Sequence, residues 1–196
     1  NTLKQRNIPV AGADRMVLTE QLAVMDLLAL GRFLLLPEDD LTLAVVLKGP
    51  LFGFTDNDDL FPLAYQRPGT LWAALKAADN PKCLQAHKRL SELLGRADFM
   101  PPFEFYARLL GPEGGRRALL ARLGQEADDP IDEFLNLTID YEREHVPSLQ
   151  GFLSWIEAGR TQIKRDLEQG HGEVRVMTIH GSKGLQGNIV FLPDTC

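Results

Sequence analysis

Val174-Arg175-Val176-Met177-Thr178-Ile179, then His180-Gly181-Ser182-Lys183-Gly184-Leu185-Gln186-Gly187, then Asn188-Ile189-Val190-Phe191-Leu192 decide how the chain is read. The first six residues are rich in β-branched side chains and alternate in polarity, the pattern of a strand. The middle eight form a glycine-rich loop. The last five are apolar from Ile189 on, the kind of strand that is buried in a parallel sheet. A strand end that opens into Gly, Ser and Lys offers free backbone N–H groups and one cation. That chemistry suits a phosphate, and equally a tight surface turn. It is not a Walker A loop, which needs Gly before the Lys and Ser or Thr after it; here Ser182 precedes Lys183 and Gly184 follows.

Upstream the pattern is helical almost throughout. Thr19 reads as an N-cap for a long helix to Leu36, closed by Pro37. Asp39 or Asp40 opens a helix over Leu41 to Leu47, stopped by Gly49-Pro50. Gly49 to Thr55 reads as a turn, and Asp56 opens a short helix near Leu60 to Ala64. Thr70 opens a helix through Ala78. Asn80-Pro81 opens another to Leu94, with Gly95 as its left-handed stop. Further helices are predicted over Pro102 to Leu110, Gly115 to Leu123, Asp129 to about Glu144 and Ser148 to Ala158, with a charged helical stretch to about Glu168. Ile8 to Ala11 is short and β-compatible, with Gly12 turning the chain. The expected fold is mainly α, about nine helices flanked at both ends by short strands of an α/β sheet. An insertion inside an α/β domain fits that order, because an inserted domain needs its ends close together.

Composition sets the outer limits. The chain has 196 residues, 44% hydrophobic and 24% charged, ordinary globular values that argue against disorder. Cys83 and Cys196 cannot make a disulfide framework, and four scattered histidines give no metal-ligand spacing. No apolar run is long enough for a spanning helix, and no secretory leader is visible near the start, so no membrane partner and a reducing, cytoplasmic home are expected. The chain begins without Met and ends within an apolar run, which predicts a piece of a longer protein.

The net charge is −6, unevenly placed. Glu38 to Leu60 holds six acids and one Lys, and Leu123 to Glu144 eight acids and one Arg. Lys76 to Arg122 holds nine basic and five acidic residues. Within it Lys82, Lys88, Arg89, Arg96, Arg108, Arg116, Arg117 and Arg122 could meet phosphates, or could simply be a solvated helix face. The acidic total argues against strong autonomous nucleic-acid binding, which depends on neutralising phosphates. Trp72 and Trp155 read as core anchors, His87 and His145 as partly exposed helix residues. The acids at Asp128, Asp129, Asp132 and Glu133 read as a helix start favoured by the dipole, not as a metal site.

The stretch VRVMTIHGSKGLQGNIVFLPD, Val174 to Asp194, closely resembles motif V of superfamily 1 DNA helicases of the UvrD and RecB type. Their pattern is roughly V-x-[LV]-M-T-[IL]-H-x-[SA]-K-G-L-E-[FG]-x-x-V-[FI]-[LI]. NIPVAGADRM, Asn7 to Met16, resembles the segment after motif IV. Leu36 to Leu60 resembles the start of the inserted 2B domain, and VPSLQGFLSWIEAG, Val146 to Gly159, its last helices. The whole is most similar to the AddA-type helicase–nuclease subunits of double-strand-break repair complexes. Arg67 to Asp128 matches weakly.

The resemblance implies three segments: 1–18 as the edge of a RecA-like 2A domain, 19–170 as a helical 2B insertion, and 171–196 as the return to 2A with motif V. It implies that Thr178 and His180 face DNA phosphates, and that Lys183 and Gly184 shape the loop beside the nucleotide. Gln186 stands where the family has a Glu that bonds the nucleotide ribose. Gly53 lies in the turn where relatives carry a Gly-x-Gly-type duplex contact, although Phe54-Thr55 follow it here. The implied partners are single-stranded and duplex DNA and a partner subunit of the AddB type. ATP and Mg2+ are implied for the full-length parent and no cofactor for this stretch alone. Walker A, Walker B and motif VI are absent from these residues, and so is a recognisable nuclease segment, so the stretch alone is expected to be non-catalytic.

Overall fold

In a computed structural model of the chain, residues 10–12, 17–159, 174–176 and 186–192 are described. The chain divides into two units, Asn1–Met16 with Gln162–Cys196, and Val17–Thr161.

In the first unit, β1 (Val10–Gly12) pairs in parallel with β2 (Val174–Val176). Val10 stands opposite Val174 and Gly12 opposite Val176. Gly12 is therefore a strand residue, not the turn expected of it. The segment Asn188–Leu192 is not the strand that its apolar run predicts. It is irregular, with Ile189, Val190, Phe191 and Leu192 all exposed. A strand needs a hydrogen-bonded neighbour, and among the described residues only β1 and β2 pair.

The second unit is all-helical among its described residues. After a single 3-10 turn, Leu18–Glu20, come α1 (Leu22–Leu35), α2 (Asp40–Lys48), α3 (Phe61–Ala64), α4 (Leu71–Ala77), α5 (Pro81–Ala97), α6 (Pro102–Leu110), α7 (Gly115–Leu123), α8 (Asp128–Glu144) and α9 (Leu149–Ala158). Mainly α is thus the observed class. Four starts are made by the side chains that the sequence offered. Asp39 accepts from the Leu41 and Thr42 amides, Thr70 from Ala73, Asn80 from Lys82 and Ser148 from Gly151.

Several boundaries differ. Asp56 does not cap α3: it begins a π-helical turn, Asp56–Leu60, which runs into α3 without a side-chain cap. Thr19 lies in the 3-10 turn, and α1 starts after Gln21 with no side-chain cap. Gly95 does not stop α5, which runs on to Ala97. The buried stripe Cys83, Ala86, Leu90, Leu93 and Ala97 continues through it, and that burial outweighs the helix penalty of one glycine, about 1 kcal/mol. α8 begins at Asp128 and is entered from a 3-10 turn, Gln125–Ala127. Pro130 sits in the first turn, where its missing N–H costs nothing.

α1 is the hub of the core. Val24, Leu27, Leu30 and Phe33 are fully buried along it, and it packs on α2, α5, α7, α8 and α9. Beside it, Tyr106, Phe134 and Phe152 meet edge to face, with centroids 4.8, 5.5 and 6.2 Å apart. The Tyr106 hydroxyl donates to the Leu27 carbonyl at 3.2 Å, and complete burial pushes its acidity far down. Gly31 lets that ring in, since a Cβ there would lie 2.5 Å from the Tyr106 hydroxyl oxygen.

Candidate nucleic-acid interface

The turn Gly49–Thr55 follows α2 directly. Its main chain is bonded inward almost completely. Gly49 donates to Val45, Phe52 and Gly53 both donate to the Gly49 carbonyl at 3.2 and 2.8 Å, and Phe54 donates to Leu47 at 2.8 Å. The Thr55 amide donates to the Asp59 carboxylate at 2.7 Å. Phe54 is buried, whereas Gly53 is exposed at φ +64°, the left-handed region that favours glycine. Nothing lies within 4 Å of where a Gly53 Cβ would be, so the tip is open.

Two carbonyls of this turn, and that of Lys48 at the end of α2 just before it, accept from cations. Lys82 Nζ donates to the Gly53 carbonyl at 2.9 Å and to Asp59 at 2.7 Å, and it stands 4.8 Å above the Phe54 ring. Arg89 donates to the Leu51 carbonyl at 3.1 Å with its guanidinium 5.5 Å over Phe52. Arg122 donates to the Lys48 carbonyl at 2.6 Å. Lys82 and Arg89 are seven apart on α5 and share one flank of it, which is why both reach the turn. The Lys82 ammonium, with the Thr55 amide behind it, holds the Asp59 carboxyl below the usual carboxylate range. Asp26 of α1 lies close by: a Cβ on Gly49 would be 3.4 Å from its Oδ1. Burial raises the Asp26 pKa to about 6, against the pull of Arg122.

The other basic residues of α5 to α7 divide into paired and unpaired. Arg96 and Arg108 both reach Glu113, at 2.5 and 3.1 Å, and they hold its carboxyl below the ordinary range, Arg96 most strongly. Arg116 joins Asp128 at 2.5 Å and Asp132 beside it, so the acidic start of α8 is one half of an ion-pair cluster. Lys88 and Arg117 are exposed, and their side chains carry no hydrogen bond or ion pair within the described residues. Six of the eight cations that the sequence offered to phosphates are therefore bonded to the protein itself. Most of these partners lie in turns and on helices well removed in the chain, where local spacing does not reveal them.

Of the residues singled out in the sequence, Gly53 is the exposed tip, with its amide turned inward. Gln186 is exposed. Thr178, His180, Lys183 and Gly184 lie outside the described residues. Trp72 is half-buried, 5.4 Å from Phe33 and 4.7 Å from His87. Trp155 is half-buried against Tyr141 and Phe152, with His145 stacked on Tyr141 at 4.8 Å. Burial pushes the Cys83 thiol up, away from reactivity. Among the described residues no group of three or more His, Cys, Asp or Glu could hold a metal ion, and no helix is long and apolar enough to cross a membrane.

No family model matches the chain. Over 97% of its length it is similar to the ATP-dependent DNA helicase PcrA of Staphylococcus aureus, at 26% identity. It is likewise similar to PcrA of Staphylococcus epidermidis, at 24%. The chain spans 28% of the length of these relatives.

Proposed function

We propose that this chain is the non-catalytic insertion and motif V region of an ATP-dependent DNA helicase, contributing DNA contact and conformational control to unwinding. The observation that carries the reading is the similarity to a DNA helicase along nearly the whole chain. The β1–β2 pairing supports the insertion order, because it joins strands that precede and follow the helical stretch in sequence. In this reading 1–18 and 171–196 are parts of a RecA-like domain and 19–170 is the 2B insertion. Thr178 and His180 meet single-strand phosphates, Gly53 lies in the turn that meets the duplex, and Lys183, Gly184 and Gln186 line the nucleotide side of the motif V loop. ATP and Mg2+ act in the longer parent, where bound Mg2+–ATP supplies the driving reaction. This chain's own residues position the loop and the turn. The resemblance of the Val174 to Asp194 stretch to motif V supports, as part of this proposal, a parent of the AddA helicase–nuclease type that acts in double-strand-break repair in the cytoplasm.

The reading is tested by unwinding in the longer protein. Lys183→Ala and His180→Ala are each expected to abolish or strongly reduce strand separation while the helical unit stays folded. Normal unwinding by both variants would contradict the motif V assignment.

A second reading has its own support. Six of eight candidate phosphate contacts are tied to carbonyls or carboxylates, which leaves an acidic unit with few available cations. That composition suits docking of a partner subunit, of the AddB type in this reading. Charge reversal of Arg117 separates the two: duplex affinity falls in the first reading and is unmoved in the second.

A further inference from the structure

Resting on the reading that the Gly49–Thr55 turn meets duplex DNA, we propose that Lys82, Arg89 and Arg122 are positioning residues that preset this turn as a rigid contact element, rather than phosphate contacts.

The geometry assigns them that role in three ways. Lys82 and Arg89 donate to main-chain carbonyls of the turn, at Gly53 and Leu51, and Arg122 donates to the Lys48 carbonyl, where α2 enters it. Charge-assisted bonds of this kind are roughly twice as strong as neutral ones. The ammonium of Lys82 and the guanidinium of Arg89 also cover the rings of Phe54 and Phe52, which ties side chains as well as main chain to α5. The amides of Phe52, Gly53, Phe54 and Thr55 are bonded within the protein, so the turn needs no ligand to satisfy it. Gly115 closes the arrangement from α7: a Cβ there would lie 2.7 Å from the Leu109 carbonyl and 3.3 Å from the Leu51 side chain.

A turn held this way does not lose conformational freedom when it meets a ligand, so binding avoids an ordering cost. A cation already bonded to a carbonyl displaces few counterions from DNA. The salt dependence of binding then comes from other residues, of which Lys88 and Arg117 are the candidates in this stretch.

The test uses the full chain, with amide hydrogen exchange in the turn as one readout and titration of a short blunt-ended DNA duplex at several salt concentrations as the other. Lys82→Met and Arg89→Met are expected to speed exchange at Phe52, Gly53 and Phe54 by about tenfold. They are expected to weaken duplex binding without changing its salt slope. Lys82→Arg and Arg89→Lys, which keep a charged donor, should hold exchange near the wild-type rate. Lys88→Ala should leave exchange alone and reduce the salt slope by about one.

The proposal is overturned if Lys82→Met or Arg89→Met lowers the slope by about one while exchange in the turn stays at the wild-type rate. If the unaltered chain does not bind the duplex, the DNA reading fails. The exchange measurement then still decides the positioning role on its own: unchanged exchange in both Met variants refutes it, and faster exchange upholds it.

Discussion

The aromatic cluster of Tyr106, Phe134, Phe152 and Tyr141 and the Gly49–Thr55 turn are both fixed by several helices, but by opposite means. The cluster is fixed by shape. Its rings meet edge to face, and Gly31 and Gly151 admit Tyr106 and Tyr141 where a Cβ would collide. The turn is fixed by charge. Cations from α5 hold its carbonyls, one from α7 holds the Lys48 carbonyl at its entry, and the ion pairs of Arg96, Arg108 and Arg116 lock the neighbouring elements. Contacts made by shape have no pH or salt dependence of their own, whereas contacts made by charge have both. The two regions should therefore fail under different conditions, and each variant below asks whether they do.

The largest loss should come from the shape side. Phe152→Ala removes a fully buried ring and should cost about 3–5 kcal/mol in urea unfolding, equally at low and high salt. Gly31→Ala drives a methyl against the Tyr106 hydroxyl and should cost about 1–3 kcal/mol, again with no salt dependence. A strong salt dependence in either would erase the distinction between the regions.

On the charge side the effects should be smaller and conditional. Glu113→Gln weakens the hold on Arg96 and Arg108 and should cost about 1 kcal/mol in low salt near neutral pH. Because the Glu113 pKa is lowered in the fold, its contribution is present above the ordinary carboxylate value and fades as pH falls through the lowered one. The difference between variant and parent should close in acid.

Asp26 runs the other way. Its folded pKa, raised to about 6 from 3.8, makes the ionised group a penalty that is full above about 6 and absent below the ordinary value. Asp26→Asn should therefore stabilise the chain by about 1 kcal/mol near neutral pH, allowing for its partial exposure, with the gain gone by about pH 4. Thermal unfolding across that pH range checks it, and a gain that persists in acid would remove Asp26 from the charged region.

Much of the fold could be read from local sequence. Asp39, Thr70, Asn80 and Ser148 cap the helices that they were expected to cap, and α6 and α7 have the predicted bounds. These features depend on residues within one turn of each other. The errors came where distant packing won. Gly95 stays helical because the apolar stripe around it is buried against other helices, and Asn188–Leu192 shows that an apolar run alone does not make a strand. The turn was legible as a turn. Its clamps were not, because Lys82, Arg89 and Arg122 bond carbonyls 29, 38 and 74 residues away, and no spacing in the chain announces such pairs. In the sequence these three looked the same as Lys88 and Arg117, although only the latter two are unpaired.

The slope of log affinity for a short DNA duplex against log salt concentration asks directly how many of the eight cations between Lys82 and Arg122 face outward. The inward-bonded arrangement predicts a shallow slope, about −2, from Lys88 and Arg117 together. A slope near −7, as about eight phosphate contacts would give, would show that the cations bonded to the turn and to the carboxylates leave them for DNA, and would contradict the account.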